Sequence, residues 1–333
     1  MVTYRHWSFE IKKKRQGHLS AMSYSSSLEA AIVLYREGRH QEAYDLITEQ
    51  VSSPDAIPAL VYYFRFSFAC RAGLHDLALS LLREAIIDRG FWYSPDHLGD
   101  DDLEPLRGLP EFEELAEISV ERGGTAARAA RSELEIVLPG DGNEKGRPLV
   151  VALHGNQFNI RTTRLIWSGE ALSDCLLAFP QSSHAVCTDA YSWVDPQLGA
   201  DELVSHLDEI FTENQVDRDR TILGGFSAGG RVVLHTMLKR RVRAKGIILL
   251  GPWIPDLVYL EPMIPNLRSD RVRVCLICGT QDEDCFDSSN RLAKLLEENG
   301  VSFQYRVVAG MGHSFPPDFE EYLARARTFI LEG

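Results

Sequence analysis

The chain has 333 residues, 44% hydrophobic and 25% charged, the proportions of a soluble globular protein with room for about two domains. Asp and Glu outnumber Lys and Arg by 48 to 35, a formal charge of −13. That balance argues against nucleic acid and anionic membranes as partners, since both require basic patches. No run approaches the roughly 20 apolar residues of a membrane span, and Lys12-Lys13-Lys14-Arg15 is not followed by an apolar signal core. A cytoplasmic location is expected.

In chain order, residues 1–27 read as a disordered or extended leader in which Met22 is an alternative start. Residues 28–120 read as helix throughout. The segment Gly38-Arg39-His40-Gln41-Glu42-Ala43 recurs as Gly73-Leu74-His75-Asp76-Leu77-Ala78. A glycine closing one helix, then an alanine where two helices touch, is the small-residue logic of helical-hairpin repeats. This part resembles tetratricopeptide (TPR) repeats, although it lacks the first-helix Trp and the complete Leu-Gly…Tyr set. The resemblance implies either a protein partner or a shield that shapes a substrate entrance. The run Asp100-Asp101-Asp102 reads as a solvated loop, and 121–133, with Gly123-Gly124 and several alanines, as a linker or short helix.

From 134 to 333 strands alternate with helices. Strands are expected at 134–138, 149–153, 176–179, 221–224, 246–250, 272–278 and 303–308. Helices are expected around 163–174, 201–213, 228–240, 288–299 and 319–331, with Gly300 as the cap of the fourth. This order predicts an α/β fold with a doubly wound, mainly parallel sheet. Six cysteines are too few and scattered for a disulfide framework. Cys275 and Cys278 lie in one expected strand and face opposite ways, so they read as core residues, with no metal site.

Gly225-Phe226-Ser227-Ala228-Gly229 falls where the strand at 221–224 turns into a helix. A serine thrust out at such a turn needs small neighbours on a strained backbone. The strand at 272–278 runs into Gly279-Thr280-Gln281-Asp282, with Asp284 a near alternative to Asp282, and the strand at 303–308 runs into Gly310-Met311-Gly312-His313. Both residues should emerge at the carboxyl edge of a parallel sheet, where catalytic groups gather. His206 and His235, on helices, read as structural.

Residues 134–331 resemble the α/β-hydrolase superfamily, in its phospholipase/carboxylesterase branch, which includes acyl-protein thioesterases and relatives of dienelactone hydrolase. The matching pieces are Leu153-His154-Gly155, the elbow at 225–230, Gly279-x-x-Asp282, Gly312-His313, Tyr191-Ser-Trp193-Val-Asp195 and Gly251-Pro-Trp253-Ile-Pro255. The resemblance implies Ser227, Asp282 and His313 as a catalytic triad in the order Ser, Asp, His. It also implies an oxyanion hole from the backbone N–H groups of Ala228 and Asn156, with Gln157 as the substitute. Gln157, Trp193 and Trp253 are expected at the substrate pocket, and His154 as a residue that orders its loop. The chain departs from the branch at Ala228 and Asn156, which leaves family membership intact and substrate identity open.

The expected activity is serine hydrolysis of small to mid-length carboxylic esters or thioesters, without a cofactor. The short stretch between Gly251 and the strand at 272 leaves no room for a large lid. Two rivals stand beside it: a peptidase of the prolyl-oligopeptidase kind, and a non-catalytic interaction protein with a hydrolase-fold scaffold.

Overall fold

A computed structural model describes residues 24–139 and 146–332. It divides into two compact units. Of the described residues, one unit holds those up to Ala130 together with His184–Tyr191, and the other holds the rest.

The first unit is helical: α1 (Tyr24–Arg36), α2 (His40–Thr48), α3 (Pro58–Arg71), α4 (His75–Arg83), the short α5 (Pro95–Leu98) and α6 (Pro110–Ala129). Gly38 and Gly73 end α1 and α3 with φ of 77° and 79°, a backbone that glycine adopts without a Cβ penalty. Ala43 and Ala78 are wholly buried where each hairpin closes. Helix α3 packs on both α2 and α4, which explains why Tyr62, Phe66 and Cys70 are all buried on it.

Three expectations for this region change. Residues 24–27 belong to α1 and not to a leader; residues 1–23 lie outside the described residues. The stretch expected as a linker at 121–133 is helical as far as Ala129. Its Gly123 serves close packing, because an added Cβ would stand 2.6 Å from the Trp92 ring. The acidic run is no solvated loop. Asp100 accepts the Asp102 N–H and starts a 3-10 turn, and it also accepts the Tyr63 hydroxyl at 2.7 Å. Asp102 accepts the Tyr35 hydroxyl at 2.6 Å, and burial pushes its carboxyl up to about 6.

The second unit is built on β1 (Glu133–Val137), β2 (Arg147–Leu153), α7 (Ile160–Trp167) and β3 (Leu176–Gln181). A hairpin of β4 (Ala185–Cys187) and β5 (Ala190–Tyr191) then contributes to the helical unit, where Cys187 bridges to Tyr93. The chain returns through α8 (Pro196–Glu213), β6 (Val216–Phe226), α9 (Ala228–Leu238), β7 (Gly246–Leu250), α10 (Leu257–Leu260) and α11 (Pro265–Ser269). It ends with β8 (Arg273–Gly279), α12 (Phe286–Glu298), β9 (Phe303–Val308) and α13 (Phe319–Glu332). The helix expected at 163–174 is shorter, because a reciprocal cap between Asn159 and Thr162 starts it at 160 and it stops at Trp167. Gly300 follows α12 with φ of 63°, as a left-handed cap should.

The seven-stranded sheet has the order β1-β3-β2-β6-β7-β8-β9, with β1 antiparallel and the other strands parallel. Strand order reverses at β2, whose neighbours are β3 on one side and β6 on the other. Leu153 at the end of β2 pairs with Gly225 on β6, so the loop after β2 and the turn after β6 lie side by side at the switch point. The core beneath holds Val151, Leu223, Val233, Ile247, Leu249 and Leu276, all buried. Among the described residues no helix is long and apolar enough to cross a membrane. All six cysteines are buried and unpaired.

Candidate active site

Ser227 occupies the turn between β6 and α9 with φ 53° and ψ −121°, a strained conformation for a residue with a side chain. Its neighbours explain how the fold holds it there. Its N–H bonds Leu250 O at 3.0 Å, and its carbonyl accepts the N–H groups of Arg231 and Trp253, both at 3.2 Å. A Cβ at Gly225 would meet the Gly229 backbone at 2.5 Å, and one at Gly229 would run into the His154 carbonyl. The two glycines are small because backbones cross there.

His313 Nε2 lies 2.8 Å from Ser227 Oγ, and His313 Nδ1 lies 2.8 Å from Asp282 Oδ2. A carboxylate accepts only, so Nδ1 carries a proton, and Nε2 is the nitrogen turned to the serine hydroxyl. Asp282 is 1% exposed, the His313 side chain 11% and Ser227 9%, so the hydrogen-bonded chain is largely shielded from water. The Phe226 ring packs on the imidazole with centroids 4.7 Å apart. The structure thus brings together the three residues that the sequence placed at separate strand ends.

The loop after β2 is held by side chains. His154 is buried, and its Nε2 accepts the Ser182 N–H at 3.1 Å, so its Nδ1 is the protonated nitrogen that donates to Gly155 O at 2.7 Å. Burial drives its pKa down to about 4. Trp193 stacks on this ring and donates its indole N–H to His154 O at 2.9 Å. The Asn156 side chain accepts the Trp193 backbone N–H at 2.9 Å. Gln157 has φ 64°, and its N–H is taken by Ser192 Oγ at 3.2 Å. Among the described residues the backbone N–H groups of Asn156 and Ala228 have no protein acceptor. Gly155 brings this loop against the nucleophile, since an added Cβ would stand 3.5 Å from Ser227 Cβ.

The two tryptophans differ. Trp193, expected at the pocket, is 2% exposed and spends its indole on His154, so it braces the loop and offers almost no face to a substrate. Trp253 is half-buried beside the Ser227 backbone, with the Arg231 guanidinium over its ring and Arg231 paired to Asp256 at 2.9 Å. Several supporting residues were given no role by the sequence: Gly251, where a Cβ would stand 2.9 Å from Asp282 Oδ2, and the serines at 182 and 192. Cys285 is another. Its Sγ, with Asp282 and His313, forms a group whose possible metal-ligand atoms lie within 4.8 Å of one another, although the Asp and His atoms are already joined by a hydrogen bond.

Residues 200–331 match the family model for phospholipase/carboxylesterase, and residues 23–127 match that for the A/B hydrolase-like N-terminal domain. No curated protein matches the chain. The crystal structure of an uncharacterized protein of Bacillus cereus ATCC 10987 is 31% identical, covers 93% of this chain and 99% of its own, and has a TM-score of 0.54. The crystal structure of esterase PE8 is 22% identical over 61% of this chain and 99% of its own, with a TM-score of 0.50, a likeness of fold. The chain belongs to the α/β-hydrolase superfamily, in the phospholipase/carboxylesterase branch of ester hydrolases, with an A/B hydrolase-like domain at its N-terminal side.

Proposed function

We propose that the protein is a serine esterase that works through an acyl-enzyme, with Ser227 as nucleophile, His313 as base and Asp282 as its orienting partner. One observation carries the reading: an unbroken hydrogen-bonded chain, with 2.8 Å at each step, from Ser227 Oγ through His313 to Asp282. As Oγ attacks an ester or thioester carbonyl, its proton passes to Nε2, and Asp282 stabilises the imidazolium. The oxyanion is received by the N–H groups of Ala228 and Asn156, which have no other acceptor among the described residues. Collapse expels the alkoxide or thiolate, which takes the proton from Nε2. A water deprotonated by the same nitrogen then releases the acid and regenerates the serine.

Trp253 and Gln157 border the acyl group in this reading, and Trp193 is withdrawn from the pocket. Small to mid-length acyl groups are the expected substrates. The test is a panel of p-nitrophenyl acetate, butyrate and octanoate, an acyl-thioester and an aminoacyl-anilide, beside labelling with a fluorophosphonate probe. Ester turnover together with loss of labelling in Ser227→Ala is expected. Equal labelling of Ser227→Ala and wild type would remove the serine mechanism, and turnover of the anilide alone would move the assignment to a peptidase.

A further inference from the structure

Two buried thiols flank the proposed Asp282–His313 pair, and the reaction as written uses neither. Cys278 closes β8 with its Sγ 3.8 Å from Asp282 Oδ2. Cys285 lies just before α12, where its backbone N–H donates to Asp282 Oδ1 at 3.2 Å and its Sγ stands 3.6 Å from His313 Nδ1. We propose that Cys278 and Cys285 are positioning residues for this pair, with the Cys278 S–H supporting the Asp282 carboxylate and the Cys285 sulfur holding the His313 ring at its Nδ1 edge. The inference rests on the serine mechanism above.

Asp282 is almost fully buried, and a buried carboxylate must have its lone pairs satisfied. Oδ1 has the Cys285 N–H, and Oδ2 has the His313 N–H. The Cys278 proton has two acceptors in reach, Gly279 O at 3.7 Å and Asp282 Oδ2 at 3.8 Å, and the charged oxygen is the stronger of the two. Burial raises Cys278 to about 12 and Cys285 well above its ordinary value, so both remain S–H groups at neutral pH. A neutral thiol is a weak donor that cannot compete with the imidazole as a charge partner. It supports the carboxylate without neutralising it. Beside the same Nδ1 edge, Gly251 leaves no Cβ to press on these two residues, so the ring is bounded there by sulfur and carboxylate and on its face by Phe226.

The test uses full-length protein carrying Cys278→Ala, Cys278→Ser, Cys285→Ala or Cys285→Ser, with fluorophosphonate labelling rate measured from pH 5 to 9. Each Ala variant is expected to label about 5- to 30-fold more slowly, and the Ser variants, which restore an O–H donor to Asp282 at position 278 and an acceptor oxygen beside Nδ1 at position 285, to lie within about threefold of wild type. Loss of the Cys278 S–H leaves Asp282 more basic and favours imidazolium. The acid limb of the Cys278→Ala profile should therefore move up by about half a pH unit, the scale of one weak hydrogen bond. The low-field Nδ1 proton resonance of His313 should shift in the same variant. Ala variants that label within twofold of wild type, with an unmoved acid limb, overturn the inference even if their melting temperatures fall. Ser227→Ala, run alongside, separates the two claims: undiminished labelling there strikes the serine mechanism itself, whereas inert cysteine substitutions with that control intact strike only this one.

Discussion

The helix ends of the helical unit and the elbow of the hydrolase unit use glycine for different ends. In the helical unit Gly38, Gly73, Gly90 and Gly108 have positive φ, and an added Cβ at any of them would meet nothing within 4 Å. They are conformational stops with open space around them. In the hydrolase unit Gly155, Gly225 and Gly229 sit where another chain segment already fills the space of a Cβ. There the non-glycine residue Ser227 takes the strained conformation instead. A fold that only needs to end a helix relaxes at glycine; one that must present a serine hydroxyl loads the strain on the reactive residue and clears its surroundings.

The sharpest way to break this contrast is at the site. Asp282→Asn should lower kcat by about ten-thousandfold while leaving the melting temperature near wild type, as measured by ester turnover and calorimetry. Gly229→Ala should cost at least about a hundredfold in kcat, with a stability loss of about 1–3 kcal/mol from overpacking against the His154 carbonyl. Normal turnover in that variant would show that the elbow has slack. Trp193→Phe removes the indole hydrogen bond to His154 O and should reduce kcat about 5- to 10-fold, with about 1 kcal/mol of stability.

In the helical unit the effects should be on stability alone. Burial raises Asp102 to about 6, so its protonated form is favoured by folding; its contribution is full below the unfolded value near 4 and is lost as pH rises through 6. His97, lowered by burial to about 4, acts the opposite way: its contribution is present above about 6.5 and is lost as pH falls toward 4. Asp102→Asn should therefore gain up to about 2 kcal/mol at pH 7 and lose stability more steeply on acidification, read as hydrogen exchange in α3 and α5 between pH 7 and 4. Gly73→Ala should be the mildest change, costing about 1 kcal/mol for a left-handed residue and leaving turnover untouched.

How much of this was legible depended on whether a signal was local. The elbow declares itself because Gly225, Ser227 and Gly229 fall within one turn, and Asp282 and His313 follow because each lies in the loop just past the carboxyl end of an expected strand. The seven strands of the main sheet were readable from the same alternation. The hairpin at 184–191 was not, because its strands are two and three residues long and its partner Tyr93 is remote in sequence. The role of Trp193 was hidden for a similar reason: an indole N–H directed at His154 O is a tertiary fact. The acidic run misled because charge density predicts solvation, whereas Tyr35 and Tyr63 donate their hydroxyls to Asp102 and Asp100.

The β4–β5 hairpin has a practical corollary. Cys187 and Ala190 are fully enclosed among side chains of the helical unit, yet they are encoded far downstream of it. Cutting the gene after codon 130 would therefore yield neither half intact: the amino-terminal fragment would miss a strip of its own interior, and the remainder would carry that strip bare to water. Any graft or truncation must move residues 184–191 along with the helices.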